Sequence, residues 1–118
     1  MTWHTAGGML RHAIPEHRLA ADAADRDVGR ILGLGVEFVG ATRLGREVSL
    51  AELRARHDAV YVAIGAWRPR RLTLPGEGPR VVSALPYLRS VRHGEPAPEA
   101  DTVVVLGGGN AALDAART

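Results

Sequence analysis

Gly107, Gly108 and Gly109 follow an unbroken apolar run, Val103 to Leu106, and lead into Asn110 and an Ala- and Leu-rich segment. The spacing is Gly107-x-Gly109-x-x-Ala112, and each position has a physical task. Gly107 permits a tight turn off a strand. Gly109 carries no side chain, so a pyrophosphate could approach its backbone. Ala112 is small enough for a helix to pack closely on a sheet. The start of that helix, through Gly108, Asn110 and Ala111, would offer free N–H groups and the positive end of its dipole to a phosphate. Four consecutive apolar residues suit a central parallel strand, covered on both faces. Strand, glycine turn and helix together are the context in which this spacing reads as a dinucleotide-binding fingerprint; a glycine-rich turn with no ligand is the alternative. The acid that reads the ribose is expected about 20 residues further on. The sequence reaches Thr118 before that point, so half of the βαβ unit is read.

The elements that would position this turn follow from periodicity. "GGMLRHAIP" (7–15) reads as a glycine turn and loop closed by Pro15. A helix is predicted from about Pro15 to Leu34, because Ala24, Val28, Ile31, Leu32 and Gly35 share one face of a 3.6-residue period. Asp22, Asp25 and Asp27 fall opposite with Arg26 and Arg30, and Gly33 and Gly35 stop the helix. "VEFVGATRL" (36–44) alternates like a strand. Ser49 and Glu52 form a capping box for a short helix from about Leu50 to Arg56. "DAVYVAIGA" (58–66) predicts a buried strand ending in glycine, and "RVVSALPYLRSVRHG" a strand at 80–83 and a helix around 85–92. "GEPAPEAD" (94–101) is the best linker, being rich in proline and acid. There is no internal repeat.

Composition narrows the chemistry. The chain has 118 residues, 46% of them hydrophobic, which is one small domain's worth of ordinary globular sequence. All 15 basic residues are arginine, and the net charge is +2. An Arg and Ala excess without lysine fits a GC-rich coding sequence. The densest basic run, Arg68, Arg70 and Arg71, reads as a solvated loop, since no aromatic platform or basic helical stripe accompanies it; no nucleic-acid partner is expected. With no cysteine, disulfides and cysteine-ligated metal or iron–sulfur centres within the chain are excluded. The histidines at 4, 12, 17, 57 and 93 show no metal-ligand spacing. No segment has the apolar length of a signal peptide or a membrane span, so a cytoplasmic location is expected.

Several of these segments together resemble a known family, the FAD- and NAD(P)H-dependent oxidoreductases represented by the small (β) subunit of glutamate synthase, among the two-dinucleotide-fold flavoproteins. The family pattern G-G-x-L-R-Y-G-I-P-x-F-R-L-P is similar to "GGMLRHAIPEHRLA". "DRDVGRILGLGVEF", "SLAELRARHDAVYVAIGAWRPRRLTLPGE", "VVSALPYLRSV" and "VVVLGGGNAALDAART" follow in family order, so the resemblance covers residues 7 to 118. It departs at His12-Ala13 for Tyr-Gly, at His17 for an aromatic, and at Ala20 for proline. If position 13 needs a positive φ, Ala13 costs about 1 kcal/mol there.

The resemblance implies an α/β fold: a partial doubly wound, Rossmann-like FAD domain (1–93), a linker (94–101), and the first strand, turn and helix of an inserted NAD(P)H-binding domain (102–118). It implies that the sequence opens after the first FAD strand, glycine turn and helix and is a fragment of a longer enzyme. Gly7, Gly8 and Leu10 then match the loop along the FAD pyrophosphate and flavin. Ala63, Ile64, Gly65 and Ala66 match a strand end passing close to the cofactor, and Gly107, Gly109, Asn110 and Ala112 match the NAD(P)H turn. The implied chemistry is hydride transfer from NAD(P)H to FAD, with electrons passed to a large catalytic subunit or an iron–sulfur partner. The cofactors carry it, so no catalytic side chain or metal ligand is named; Asp114 reads as a helix-surface residue. The isolated chain is expected to be inactive. Two other readings stay open: a non-enzymatic fragment or interaction module without a cofactor, and a nucleotide-binding protein using only residues 103–118.

Overall fold

A computed structural model of the chain describes residues 3–69, 75 and 78–118. Among these residues the regular elements are five helices: α1 (Gly8–His12), α2 (Ala21–Leu32), α3 (Leu50–Arg56), α4 (Ala84–Arg92) and α5 (Asn110–Arg117). The helices begin and end where local chemistry dictates. Ser49 accepts from the Glu52 backbone N–H at 3.1 Å, and the Glu52 carboxylate accepts from the Ser49 N–H at 2.8 Å, completing the capping box of α3. The backbone hydrogen bond, and then the hydroxyl, hold the Glu52 carboxyl below the ordinary value. Gly33 caps α2, and Gly35 turns the chain away at φ 90°.

The second helix is shorter than its periodicity predicts. Residues 15–19 instead form a turn, with Arg18 and Leu19 N–H both donating to the Pro15 carbonyl at 3.0 Å. Ala20 is extended at ψ 142° and starts the helix proper. Residues 7–15 are not wholly loop: Gly7 at φ 118° and Gly8 at φ 48° feed one helical stretch, α1. Ala13, at φ −140°, lies outside the left-handed region, so the strain anticipated for a non-glycine residue there does not arise. Asp22–Arg26 and Asp27–Arg30 pair along the exposed side of α2, as its pattern predicts. Asp25 departs from that pattern by pairing across to Arg11 of α1.

The four predicted strands, 36–44, 58–66, 80–83 and 102–107, form no ladder among the described residues, where a single parallel bridge joins Leu44 to Val48. Runs 58–66 and 102–107, expected to be covered on both faces, are largely exposed, with Val104 at 77% and Ile64 at 69%. A strand is a pairwise structure. Its hydrogen bonds come from a neighbour held about 4.8 Å away in register, which an apolar run alone does not supply. In segment 36–44, Ala41 at φ 53° also breaks the alternation, and its N–H donates to the Trp3 carbonyl at 2.7 Å.

The core is correspondingly thin. Among the described residues Ala13, Pro15, Ala24 and Leu88 are buried, beside His12 and Asp114. The radius of gyration is 17.5 Å, against about 13.5 Å for a compact chain of this length. Packing concentrates where α1 meets α2 and where α4 meets α5.

Candidate functional site

The glycine turn before α5 has the geometry its spacing predicts. Gly107 adopts φ 128°, a conformation that side chains disfavour, and a Cβ placed on it would lie 3.4 Å from the Ala112 Cβ. The tight turn and the small residue five positions on are therefore one packing unit. Gly109 is the N-cap of α5, at φ −80° and ψ 172°. A Cβ at Gly108 or Gly109 would meet no protein atom within 4 Å, so the space before the turn is open. No side chain caps α5 and no acidic residue sits in its first turn. The first N–H groups of a helix have no intrahelical partner, and here they face a space that suits an anion. Asn110 and Ala111 open the helix, and Ala112 and Leu113 close its first bonds onto the Gly109 carbonyl at 3.0 and 3.1 Å.

The second cluster is a cleft of about 400 Å³ near the N-terminal end of the described chain. Gly7, Gly8 and Ile64 line it together with Trp3, Phe38 and Trp67. Residues far apart in sequence thus line one cleft. Leu10, Ala63, Gly65 and Ala66 do not line it, although Leu10 is tied locally, its N–H donating to the Gly7 carbonyl at 3.0 Å. Gly65 turns at φ 73° and sits 3.4 Å, by its virtual Cβ, from the Trp67 indole nitrogen. Residues 107–112 lie outside the cleft. Arg68 is exposed, whereas Arg70 and Arg71 fall outside the described residues.

Two side-chain links, invisible to the motifs, join these regions. Trp3 stacks on His12 with centroids 3.7 Å apart and planes 14° apart, and His12 Nδ1 lies 3.1 Å from His93 Nε2. Burial lowers the His12 pKa below the ordinary 6.5, and His93, Arg11, Arg89 and Arg92 add to the effect by charge repulsion. Arg92 Nε also donates to the Arg11 carbonyl at 3.2 Å, so the start of the chain is pinned to the end of α4.

The other link corrects an expectation. Asp114 is not a surface residue: it is 7% exposed, and its Oδ1 lies 3.2 Å from Arg18 Nε. A carboxylate taken from water needs a partner, and this one comes from the turn at 15–19. Among the described residues no group of three or more His, Asp or Glu side chains could hold a metal, and no helix is long and apolar enough to cross a membrane.

Comparison with known proteins adds to this geometry. Residues 5–118 match the family described as Pyridine nucleotide-disulphide oxidoreductase, which implies a Rossmann-like α/β fold. The chain is 36% identical over 115 residues to the NADPH-Fe(3+) oxidoreductase subunit beta of Geobacter sulfurreducens, covering 94% of this chain and 17% of that protein. It is 37% identical to a putative glutamate synthase [NADPH] small chain of Cereibacter sphaeroides, covering 96% of this chain and 30% of the relative. With the glutamate synthase [NADPH] small chain of Azospirillum brasilense the identity is 35%, over 95% of this chain and 26% of that protein. The chain thus spans between 17% and 30% of the length of these curated relatives.

Proposed function

The chain belongs to the pyridine nucleotide-disulphide oxidoreductase family, and we propose that its 118 residues serve a flavin-dependent NADPH oxidoreductase by contributing to two cofactor sites. The observation that carries this reading is the glycine turn. Gly107 is locked against Ala112, Gly109 faces open space, and α5 starts uncapped directly behind it. In this reading, Gly107 to Ala112 hold the pyrophosphate of the nucleotide through backbone N–H groups and the helix dipole. Gly7, Gly8 and Ile64, which line the cleft, contribute to the FAD site; Leu10, Ala63, Gly65 and Ala66 border it. Residues 1–93 belong to the FAD side, 94–101 connect, and 102–118 open the NAD(P)H side. We name NADPH because relatives at 35–37% identity carry it in their names.

The cofactors supply the chemistry, hydride transfer from nicotinamide to flavin. The chain's own residues bind and orient: backbone amides take the phosphates, and glycines let the cofactors approach the main chain. Electrons leave to a large catalytic subunit or an iron–sulfur partner, in line with relatives named as a subunit beta or a small chain.

The reading is tested by mapping each cofactor on the backbone amide signals of the labelled chain. FAD should shift signals of Gly7, Gly8, Leu10 and residues 63–66 and leave 107–112 in place. NADP+ should shift 107–112 and leave the first set. Shifts confined to other residues, or none with either compound, would favour an interaction module without a cofactor.

A further inference from the structure

We propose that Arg18 is a positioning residue, which fixes the helix behind the glycine turn to the segment following Gly7 and Gly8. The proposal rests on the nucleotide reading of Gly107 to Ala112 for its consequence, though not for its geometry. Arg18 Nε meets Asp114 Oδ1 at 3.2 Å, and Arg18 Nη2 donates to Asn110 Oδ1 at 3.4 Å. Asn110 and Asp114 are four residues apart and share one face of α5, so a single planar guanidinium spans a full turn of that helix. Asn110 is also the first residue of α5, directly behind Gly109. A lysine, with one point charge, could not reproduce this fork.

Burial separates this pair from an ordinary surface salt bridge. The Asp114 side chain is 10% exposed while that of Arg18 is 41% exposed, so the aspartate is the committed partner and the arginine reaches over it. Among the described residues the Asp114 carboxylate meets Arg18, while the Thr118 hydroxyl and N–H both donate to the Asp114 backbone carbonyl. Removing Arg18 would leave a buried carboxylate that has to move toward water, carrying α5 with it.

The link also closes a ring. His12 and Arg11 join α1 to the end of α4 through His93 and Arg92. Helix α4 packs on α5, and Arg18 returns from α5 to the turn that follows α1. A ring of contacts holds the two glycine turns in one relation, whereas packing on α4 alone would let α5 pivot. Hydride transfer tolerates little error in placement, which gives such a brace its use.

The absence of cysteine makes the test direct. Ala21→Cys and Ala116→Cys place spin labels on two exposed positions, one beyond the Arg18 turn and one on α5. Pulsed EPR on the full chain, diluted with unlabelled protein, should give one narrow distance. Arg18→Gln should add a longer, broad population. Exchanging the charges, Arg18→Asp with Asp114→Arg, should restore the narrow one. Arg18→Lys should fall between wild type and Arg18→Gln, and it carries the test if loss of far-UV helicity shows that Arg18→Gln does not fold. An unchanged distribution in Arg18→Gln, a Lys variant equal to wild type, or an exchange as broad as the single variants would overturn the proposal. The distances are read without nucleotide, so a failed NADP+ titration would contradict the cofactor reading and leave this one standing.

Discussion

Gly107 lies directly against Ala112: a Cβ on the glycine would come within 3.4 Å of the alanine Cβ, at a backbone φ of 128°. Gly107→Ala should therefore cost about 1 kcal/mol from the left-handed conformation alone. Gly109→Ala has no such cost, since its φ is −80° and its Cβ would meet open space. Amide hydrogen exchange across residues 107–114 should be faster in the first variant and unchanged in the second.

The stacked His12 gives a pH dependence whose sign is fixed. Burial, His93 and the nearby arginines hold its pKa below 6.5 in the folded chain. The unfolded chain then binds the proton more readily, so stability is full above about pH 6.5 and declines as the pH falls from there toward the lowered pKa. Melting followed by tryptophan fluorescence, to which Trp3 reports directly, should show a midpoint that drops between pH 7 and 5. His12→Tyr, the residue type of the family pattern, should flatten that drop.

The exposed apolar runs predict self-association. Val103, Val104 and Leu106 are 71%, 77% and 62% exposed, and Ile64 lies similarly open. Unpaired apolar segments of this kind invite pairing between chains. Light scattering of the isolated 118 residues should rise with concentration in the micromolar range, and Val104→Lys should reduce it. A sharp, reversible melt of a monomer at that concentration would contradict the expectation.

These residues by themselves should not turn over. Gly7, Gly8 and Ile64 line the cleft, and the glycine turn lies outside it. Under the proposed function the two cofactor sites are therefore separate, whereas transfer requires nicotinamide and flavin at roughly 3–3.5 Å. The purified chain, mixed with FAD and NADPH, should show neither a stoichiometric bound-flavin spectrum nor dye reduction. A yellow protein that turns over would establish a self-sufficient flavoenzyme.

Sequence reached what is local. Ser49 and Glu52 are three residues apart, and they cap α3 as their spacing predicts. The glycine turn and α5 were legible for the same reason. Partners distant along the chain were not. The apolar runs at 58–66 and 102–107 were visible, but whether another segment pairs with them is not written in either run. His12 and His93, 81 residues apart, carried no metal spacing and gave no hint of stacking beside Trp3. Asp114 reads as a helix-surface residue in the sequence; its partner, Arg18, lies in a turn that periodicity assigns to a helix. The family resemblance supplied the order of the motifs, and the match over residues 5–118 agrees with it.

If Gly109 leaves room for a nucleotide pyrophosphate, a branched side chain at that position must displace it. Gly109→Val should fold as the wild type does at this turn, since a Cβ there meets no protein atom within 4 Å. Its branched side chain would instead occupy the space before α5. NADP+ titrated into both forms, followed at the amide signals of residues 107–112, should bind wild type at least about tenfold more tightly, a difference of ~1.4 kcal/mol. Equal affinity in the two forms, with α5 intact in both, would leave the glycines as a structural turn with no pyrophosphate site.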